Sequence, residues 1–498
     1  MMTAVRDNLP VLVVVAPLCV AFVLPTLVRR LRLVESLVIA ITVIGLLGAG
    51  YLASRVYPGG GTALVYSVGG WPAPWGIELI AGSAGTLVLL MVAMVVLPAA
   101  LFSAGSLTRE VGGSSRAVWF YTLFLLLNGA LAGMAVTNDM FNVFVLVEVA
   151  TLSCCGMVAA RGHSRAAEAA LTYLILASLG SALVLGGIGF LYIITGHLNM
   201  GFASQELHRI WQDYPRVIWM AASFLLVGFG VKSALFPLHV WLPDAHSYAP
   251  SPASAVLSGL AVKGYLICFM KILYNVFGPS LIQEFAMDRI ITVLGMLGII
   301  AGSLFAIAQD ELKRRLAFST VAQLGYAFLG MGLINKTALT GSIYYVIGHA
   351  VSKASLFLAA GAIIAATGKE RISELAGIGR KMPITMAAFT AGSFSLVGIP
   401  LFSGFVGKWH LLLGSLEAGN WLAAAVIIAG SVLCGAYLFP ILRIAYFEPA
   451  PTADGMDPGM PQKLAMVLLA AVVVILGVAP GPFLELAGRA AVDFLAIR

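Results

Sequence analysis

Four lysines and one glutamate of this chain occupy positions where a charge is hardest to keep. Lys232, Lys263, Lys353 and Lys408 fall inside long apolar runs, and Glu148 sits mid-way along FNVFVLVEVATL. An ionised side chain at the centre of a bilayer costs roughly 2.5–3.5 kcal/mol on insertion scales. About ten residues, or some 15 Å of helix, separate Glu148 from either end of its run, and a carboxylate cannot snorkel that far. Two readings fit it: a neutral side chain packed against a hydroxyl, or a carboxylate that partners a buried lysine and carries protons. Pairing with Lys232 favours the charged form of both groups, and pulling the pair apart favours the neutral form of each. A pair of this kind can drive protons when its spacing changes.

The lysines lie beside interruptions in the apolar pattern. Lys232 is followed by FPLHVWLPDAHSYAPSP, with Pro237, Pro243, Pro250 and Pro252, before a second run that holds Lys263. Proline inside a helix removes a donor and strands a carbonyl, and irregular backbone at membrane depth survives only beside protein or a wet cavity. An ion path is the functional reading; for Lys263, capping a stray carbonyl is the structural one. A second break is expected around Pro400 in GIPLFSGFVGKWHLL, which carries Lys408. His349 and Lys353 are four residues apart and so share a helix face. A histidine between lysines can relay protons at neutral pH, and a satisfied structural histidine is the alternative. Ser233, Ser258, Ser319, Ser352 and Ser403 are candidate hydroxyl links. The set Glu148, Lys232, Lys263, His349, Lys353 and Lys408 is the expected proton path. Pro237, His239, Pro243, His246 and Pro400 mark the breaks and their access to water. His239, His246 and Asp244 carry metal-ligand types, but beside a broken helix they more often cap backbone or line water, so no metal site is expected. Asp139 is read as a helix cap, and the cluster from Asp310 to Arg315 as a solvated loop.

Composition sets the class. Of the 498 residues 60% are hydrophobic and 10% charged, against about 25% charged in soluble chains. Apolar runs long enough to span recur throughout, so the fold is expected to be all-α and integral to a membrane. Fourteen spans are predicted, centred near Leu18, Val43, Leu89, Leu125, Val149, Val184, Leu225, Lys263, Gly295, Leu324, Val351, Phe394, Ile428 and Val472. Span seven is broken after Lys232 and span twelve around Pro400. Residues 55–78 read as a Gly/Pro/Trp-rich loop, 200–212 and 370–378 as short interfacial helices, and 484–498 as an amphipathic tail. The first run lacks a small-residue cleavage signature and is read as helix one. The two broken spans lie five helices apart, and an odd offset inverts a repeat in the membrane. The chain is thus one polytopic domain over 1–498, with helices one to three in 1–102, repeats in 115–277 and 286–446, and helix fourteen with its tail in 461–498.

The net charge of +7 needs no nucleic-acid partner, since no basic tract interleaves with aromatics. Arg29, Arg30, Arg32, Lys313, Arg314, Arg315, Arg380 and Lys381 gather in loops that face inward if the N-terminus is outside, so both termini are placed outside. Lys271 is assigned to the outer side. Cys19, Cys154, Cys155, Cys268 and Cys434 lie in apolar runs without CxxC spacing, which argues against a disulfide framework, an iron–sulfur site or a zinc site. Fragments like GxGxxG sit inside spans with no flanking strand and are not dinucleotide loops. No cofactor is expected.

TNDMFNVFVLVE, KSALFPLHVWLPDAHSYAPSPASAVLSGLAVKG, DELKRRLAFSTVAQLGY, GHAVSKASLFLAAG and GIPLFSGFVGKW resemble the antiporter-like subunit family. That family includes large membrane subunits of respiratory complex I, of membrane-bound hydrogenases and of Mrp-type cation/proton antiporters. The resemblance covers nearly the whole chain. It implies fourteen helices in two inverted five-helix halves, the Glu148–Lys232 pair, a central Lys263, a His349 link and a terminal Lys408. It also implies work inside a larger membrane complex, with other membrane subunits, the lipid bilayer, protons and Na⁺ as partners and the cell membrane as location. Size and motifs look most like the D member of the Mrp antiporters. Lys408 stands where one complex I member has glutamate, HSYAPSP replaces a more acidic variant, and VEVATLSCCG is unusual.

Four functions follow from these features. The first is the proton-translocating subunit of a Mrp-type Na⁺/H⁺ antiporter. The second is the same role in a redox-driven complex, namely a membrane-bound hydrogenase, a formate hydrogenlyase or complex I, whose chemistry other subunits perform. The third is an autonomous carrier and the fourth a structural scaffold.

Overall fold

The computed structural model describes residues 8–57, 63–449 and 455–496. A single segment can cross lipid only if it satisfies its own backbone hydrogen bonds, so long apolar runs become helices. Among the described residues, twelve helices are long and apolar enough to cross a membrane. They are spans one (Leu9–Leu27), two (Leu31–Val56), three (Ser83–Ser103), four (Ser114–Val136), five (Met140–Ala159), six (Ser164–Thr195), seven (Pro215–Lys232), eight (Ser251–Glu284), nine (Met287–Ile307), eleven (Lys336–Thr367), thirteen (Trp421–Phe447) and fourteen (Met460–Val478). Two others complete the expected fourteen. Span ten, Leu312–Gly332, opens on three cations and carries several polar side chains, yet nearly all of it is buried. Span twelve is split into Pro383–Val397 and Ser403–Glu417. Fifteen helical residues reach about 22 Å, short of a hydrocarbon core of about 30 Å, so neither half crosses alone.

The loops are more ordered than the sequence suggests. The helix of span two runs through Val56, so it takes in Arg55, and residues 58–62 lie outside the described residues. Further along the same loop, Leu64–Ser67 (β1) pairs antiparallel with Glu78–Ala81 (β2), with Leu64 opposite Ala81 and Ser67 opposite Glu78. The first interfacial helix forms over Met200–Ile210. The second is reduced to a 3-10 turn at Ile372–Glu374 and a single turn at Ile378–Lys381. The tail is the helix Gly481–Leu495, whose Leu486, Ala487, Ala490, Ala491 and Phe494 are buried.

The expected internal duplication has a concrete signature. Asp139, just before span five, forms a β-bridge with Asn199, just after span six; Glu311, before span ten, does the same with Arg371, after span eleven. Spans six and eleven each have 32 residues and each end on a left-handed glycine, Gly196 and Gly368. The partners in these pairs (139 and 311, 164 and 336, 196 and 368, 199 and 371) are all 172 residues apart. Five helices separate the two clasps, so they lie on opposite sides of the membrane. Asp139 caps span five as expected, accepting from the Asn142 amide at 2.7 Å.

The core runs along span eight, which is buried on every side, with spans three, four and eleven packed largely out of lipid contact around it; spans one and two are mostly peripheral. Span eight is not regular helix throughout. Two π-turns, Leu257–Ala261 and Leu273–Phe277, interrupt it; Gly278–Pro279 follows the second, and no proline lies within either.

Candidate functional site

The helix of span seven stops at Lys232, the residue at which the sequence placed the break. Trp241 braces the break: its indole N–H donates to the Val231 carbonyl at 2.8 Å, and its ring stacks on Tyr173 of span six at 4.1 Å. Lys232 is thereby held facing span five. Its ammonium, fully buried, donates to Glu148 Oε1 at 3.2 Å and to Thr151 Oγ1 at 2.7 Å. Ser181 of span six donates to the same carboxylate oxygen. The Thr151 hydroxyl lies 3.2 Å from that of Tyr265, on span eight. Glu148 therefore accepts from both a lysine and a serine, the geometry of the ion-paired reading.

Span eight carries the polar line onward. Lys263 follows the first π-turn and donates to the Ser258 carbonyl within it. The Ser258 and Thr320 hydroxyls meet at 2.9 Å. Thr320 and Lys353 both donate to the Leu316 carbonyl, at 3.1 and 2.7 Å, and Lys353 also donates to Ser319. Lys263 and Lys353 thus hang from one Ser258–Thr320–Leu316 bridge. In the 172-residue register, Glu148 corresponds to Thr320 and Ser181 to Lys353: the first pair is hydrogen-bonded directly, and the second shares the Leu316 carbonyl.

His349, one turn before Lys353, stacks on Tyr345 at 5.9 Å, and its Nε2 has no hydrogen-bond partner among the described residues. The Tyr345 hydroxyl donates to Gln323 Oε1, and Gln323 Nε2 donates to the Tyr437 hydroxyl at 2.9 Å. The Tyr345 ring in turn meets Tyr326, with centroids 5.5 Å apart. Over the Tyr326 ring, 4.4 Å from its centroid, lies the Lys408 ammonium. Lys408 sits in the second half of span twelve and reaches back to the last carbonyls of the first half, Leu396 at 2.8 Å and Val397 at 3.3 Å, and to Ser431 at 3.1 Å.

Several sequence expectations change. Ser258 and Ser319 are links, but Ser233 bonds back to the Phe229 carbonyl. Ser352 and Ser403 both meet Ser395 instead of a lysine, tying span eleven across the break in span twelve that Pro400 marks. His239, past Pro237, stacks among Phe236, Phe305 and Phe318. His246, past Pro243, is fully buried against Phe357 at 4.8 Å, and Lys353 lies over that same ring at 5.8 Å. Asp244 is taken by Arg314 at 2.7 Å, so the two histidines and this aspartate do not converge.

The cluster read as solvated is only partly so: Asp310 is exposed and Glu311 and Arg314 half-buried, but Lys313 is 2% and Arg315 9% exposed, donating to the carbonyls of Ala249 and of Gln309 and Tyr437. Lys271 is no outer-loop cation either. It lies buried on span eight and donates to the carbonyls of Met134, Ala135 and Thr137 at the end of span four. The sequence reading also missed Thr151, Ser181, Tyr265, Thr320, Gln323 and Tyr345. Their common signal is a polar side chain in mid-span, plainest at Gln323 in STVAQLGY.

The profile described as NADH:quinone oxidoreductase/Mrp antiporter, TM matches residues 137–434, a segment that includes every lysine of the line and Glu148. The chain belongs to this family. It is 39% identical to the N subunit of the NADH-quinone oxidoreductase of Desulforudis audaxviator, over 91% of this chain and 90% of that one. It is 29% identical to the D subunit of the Na⁺/H⁺ antiporter of Alkalihalophilus pseudofirmus, over 96% and 95%. Its fold matches a chain of the membrane-bound sulfane sulfur reductase, an archaeal respiratory membrane complex, with a TM-score of 0.90 at 29% identity, covering 98% and 97%.

Proposed function

We propose that this chain is a proton-translocating membrane subunit, moving protons along Glu148–Lys232, Lys263, Lys353 and His349, and Lys408. The observation that carries the reading is the Lys232–Glu148 contact at 3.2 Å, with a fully buried ammonium at a helix break. Purely structural needs do not call for such a pair, because well-packed apolar residues are often as stable. When Lys232 approaches Glu148 both are held charged, and when it withdraws toward span eight both are free to exchange protons with the next station.

The protein works beside other membrane subunits. The Glu148 side chain is 30% exposed, and Phe141, Val145 and Leu152 on the same helix face are exposed too. A carboxylate left against hydrocarbon is costly, so a neighbouring membrane subunit covers this face. Two hosts fit. The 39% identity to the N subunit of an NADH-quinone oxidoreductase favours a redox-driven complex, in which other subunits perform the chemistry. The near full-length likeness to the D subunit of an Na⁺/H⁺ antiporter favours a Mrp-type host. We place the chain in the cell membrane with both termini outside, and take 115–277 and 286–446 as the inverted repeats.

The test is gentle purification of the native complex followed by mass spectrometry of its subunits. Iron–sulfur or hydrogenase subunits assign the redox host, and only small or antiporter-like membrane subunits assign the Mrp host. Transport by the chain purified alone would refute the obligate partner.

A further inference from the structure

We propose that protons reach the buried lysines from the cationic-loop side through Glu110 and then His246, an inference that rests on the proton-translocation reading. Glu110 belongs to a short helix, Leu107–Val111, between spans three and four. It lines a cavity of about 680 Å³ shared with Ser106, Arg109, Asp457 and Gln462 and with the Gly361–Ala366 end of span eleven. Its carboxylate does not merely face the cavity. Oε2 accepts from the Ser251 amide at 2.7 Å and the Ser251 hydroxyl at 3.0 Å, where span eight begins, and from Arg161 at 3.5 Å. Glu110 thus joins an open volume to the first residue of the helix that carries Lys263.

Behind Ser251 the chain turns through Pro250 and Ala249, whose carbonyl Lys313 holds at 3.0 Å, to His246. His246 is fully buried, and neither ring nitrogen has a hydrogen-bond partner among the described residues. A buried polar group left unmatched is costly, so a structural role explains it poorly. Lys263, Lys313 and Lys353 all lie within charge–charge range of this ring. Its face rests on Phe357, the ring beneath the Lys353 ammonium. The imidazole therefore stands between the Glu110 end of span eight and the Lys263–Lys353 bridge, and can take a proton on one nitrogen while releasing one from the other. Asp457, the other carboxylate of the cavity, is committed elsewhere: it caps the first half of span twelve through Ile384 and Thr385.

The experiment is the initial rate of proton uptake in everted vesicles holding the complete complex, for Glu110→Gln, Glu110→Asp, His246→Phe and Lys232→Ala. Glutamine keeps an acceptor for the Ser251 amide but cannot carry a proton, so Glu110→Gln is expected to assemble and slow uptake at least about tenfold. Glu110→Asp restores most of the rate. Added formate, a small diffusible acid, speeds Glu110→Gln vesicles and leaves Lys232→Ala vesicles unchanged. His246→Phe forfeits no hydrogen bond and keeps the stack on Phe357, so it assembles even if Glu110→Gln does not, and it slows uptake to a similar degree. Wild-type rates in Glu110→Gln or His246→Phe, with Lys232→Ala inactive, overturn this route and leave the proposed function standing. Wild-type rates in all the variants overturn both.

Discussion

Removing Lys232 is the sharpest perturbation of the proposed mechanism, and its cost can be worked from the pair geometry. Unit charges 3.2 Å apart attract by about 5 kcal/mol at an effective dielectric of about 20. Glu148 is 30% exposed, so screening removes part of that. A destabilisation of about 3 kcal/mol is expected from leaving the Glu148 carboxylate without its partner, which an assembled complex can tolerate, together with loss of proton coupling. Adding Glu148→Gln to Lys232→Ala should restore most of the lost stability and none of the transport. Thermal melts of the detergent-solubilised complex, beside proton flux in vesicles, test each part. Full coupling in an assembled Lys232→Ala complex, or a double variant no more stable than Lys232→Ala, would refute the reasoning.

Three further substitutions separate conduction from architecture. Tyr345→Phe deletes one hydroxyl donated to Gln323, a loss of about 1 kcal/mol in stability, and breaks the Tyr345–Gln323–Tyr437 chain beside His349 while keeping the ring contacts; if that chain conducts, proton flux should fall severalfold while subunit content stays unchanged on a native gel. Lys271→Met strips a cation from the carbonyl end of span four, so the melting temperature should drop while flux per assembled complex holds. Gly404→Ala places a methyl on the Ser395 backbone where span twelve resumes, and blue-native electrophoresis should show loss of assembly.

The sequence disclosed the charges and hid their partners, for a physical reason. A lysine in an apolar run is visible because nothing else in the run resembles it, and a proline break beside it is equally plain. The Glu148–Lys232 contact and the split in span twelve were therefore legible. A threonine or serine in a span carries no such contrast, since it can bond its own helix, as Thr122 does to the Val118 carbonyl. Whether it faces a lysine depends on helix rotation, which hydrophobicity constrains weakly when every face is apolar. The π-turns in span eight and the two clasps 172 residues apart escaped for the same reason. Lys313 and Arg315 were misread because terminal cations usually reach solvent, and here the Ala249 and Gln309 carbonyls outside helices and the Tyr437 carbonyl of span thirteen receive them.

The partners of the buried lysines suggest how one chain can hold charge and still pass it on. Among the described residues, Lys232 alone of the five buried lysines in spans seven, eight, eleven and twelve is salt-bridged to a carboxylate. Lys263 is held by a carbonyl inside a π-turn, Lys408 by the carbonyl end of a broken helix, Lys353 by the shared Leu316 carbonyl, and Lys271 by the carbonyls closing span four. For Lys263, Lys408 and Lys271, helix ends and irregular turns supply this partial negative charge without an ion, whereas the Leu316 carbonyl that holds Lys353 lies within the helix of span ten. Taking a proton from a carbonyl-held amine strands no anion, whereas taking one from Lys232 leaves Glu148 uncompensated. On the proposed function, the Lys232–Glu148 distance is the place where charge separation would be stored, and the carbonyl-held Lys263, Lys353 and Lys408 are stations that could be filled and emptied without an acidic partner. At Lys263 and Lys408 the π-turn and the helix break belong to the same design as the lysines, because they free carbonyls that regular helix mostly keeps for itself.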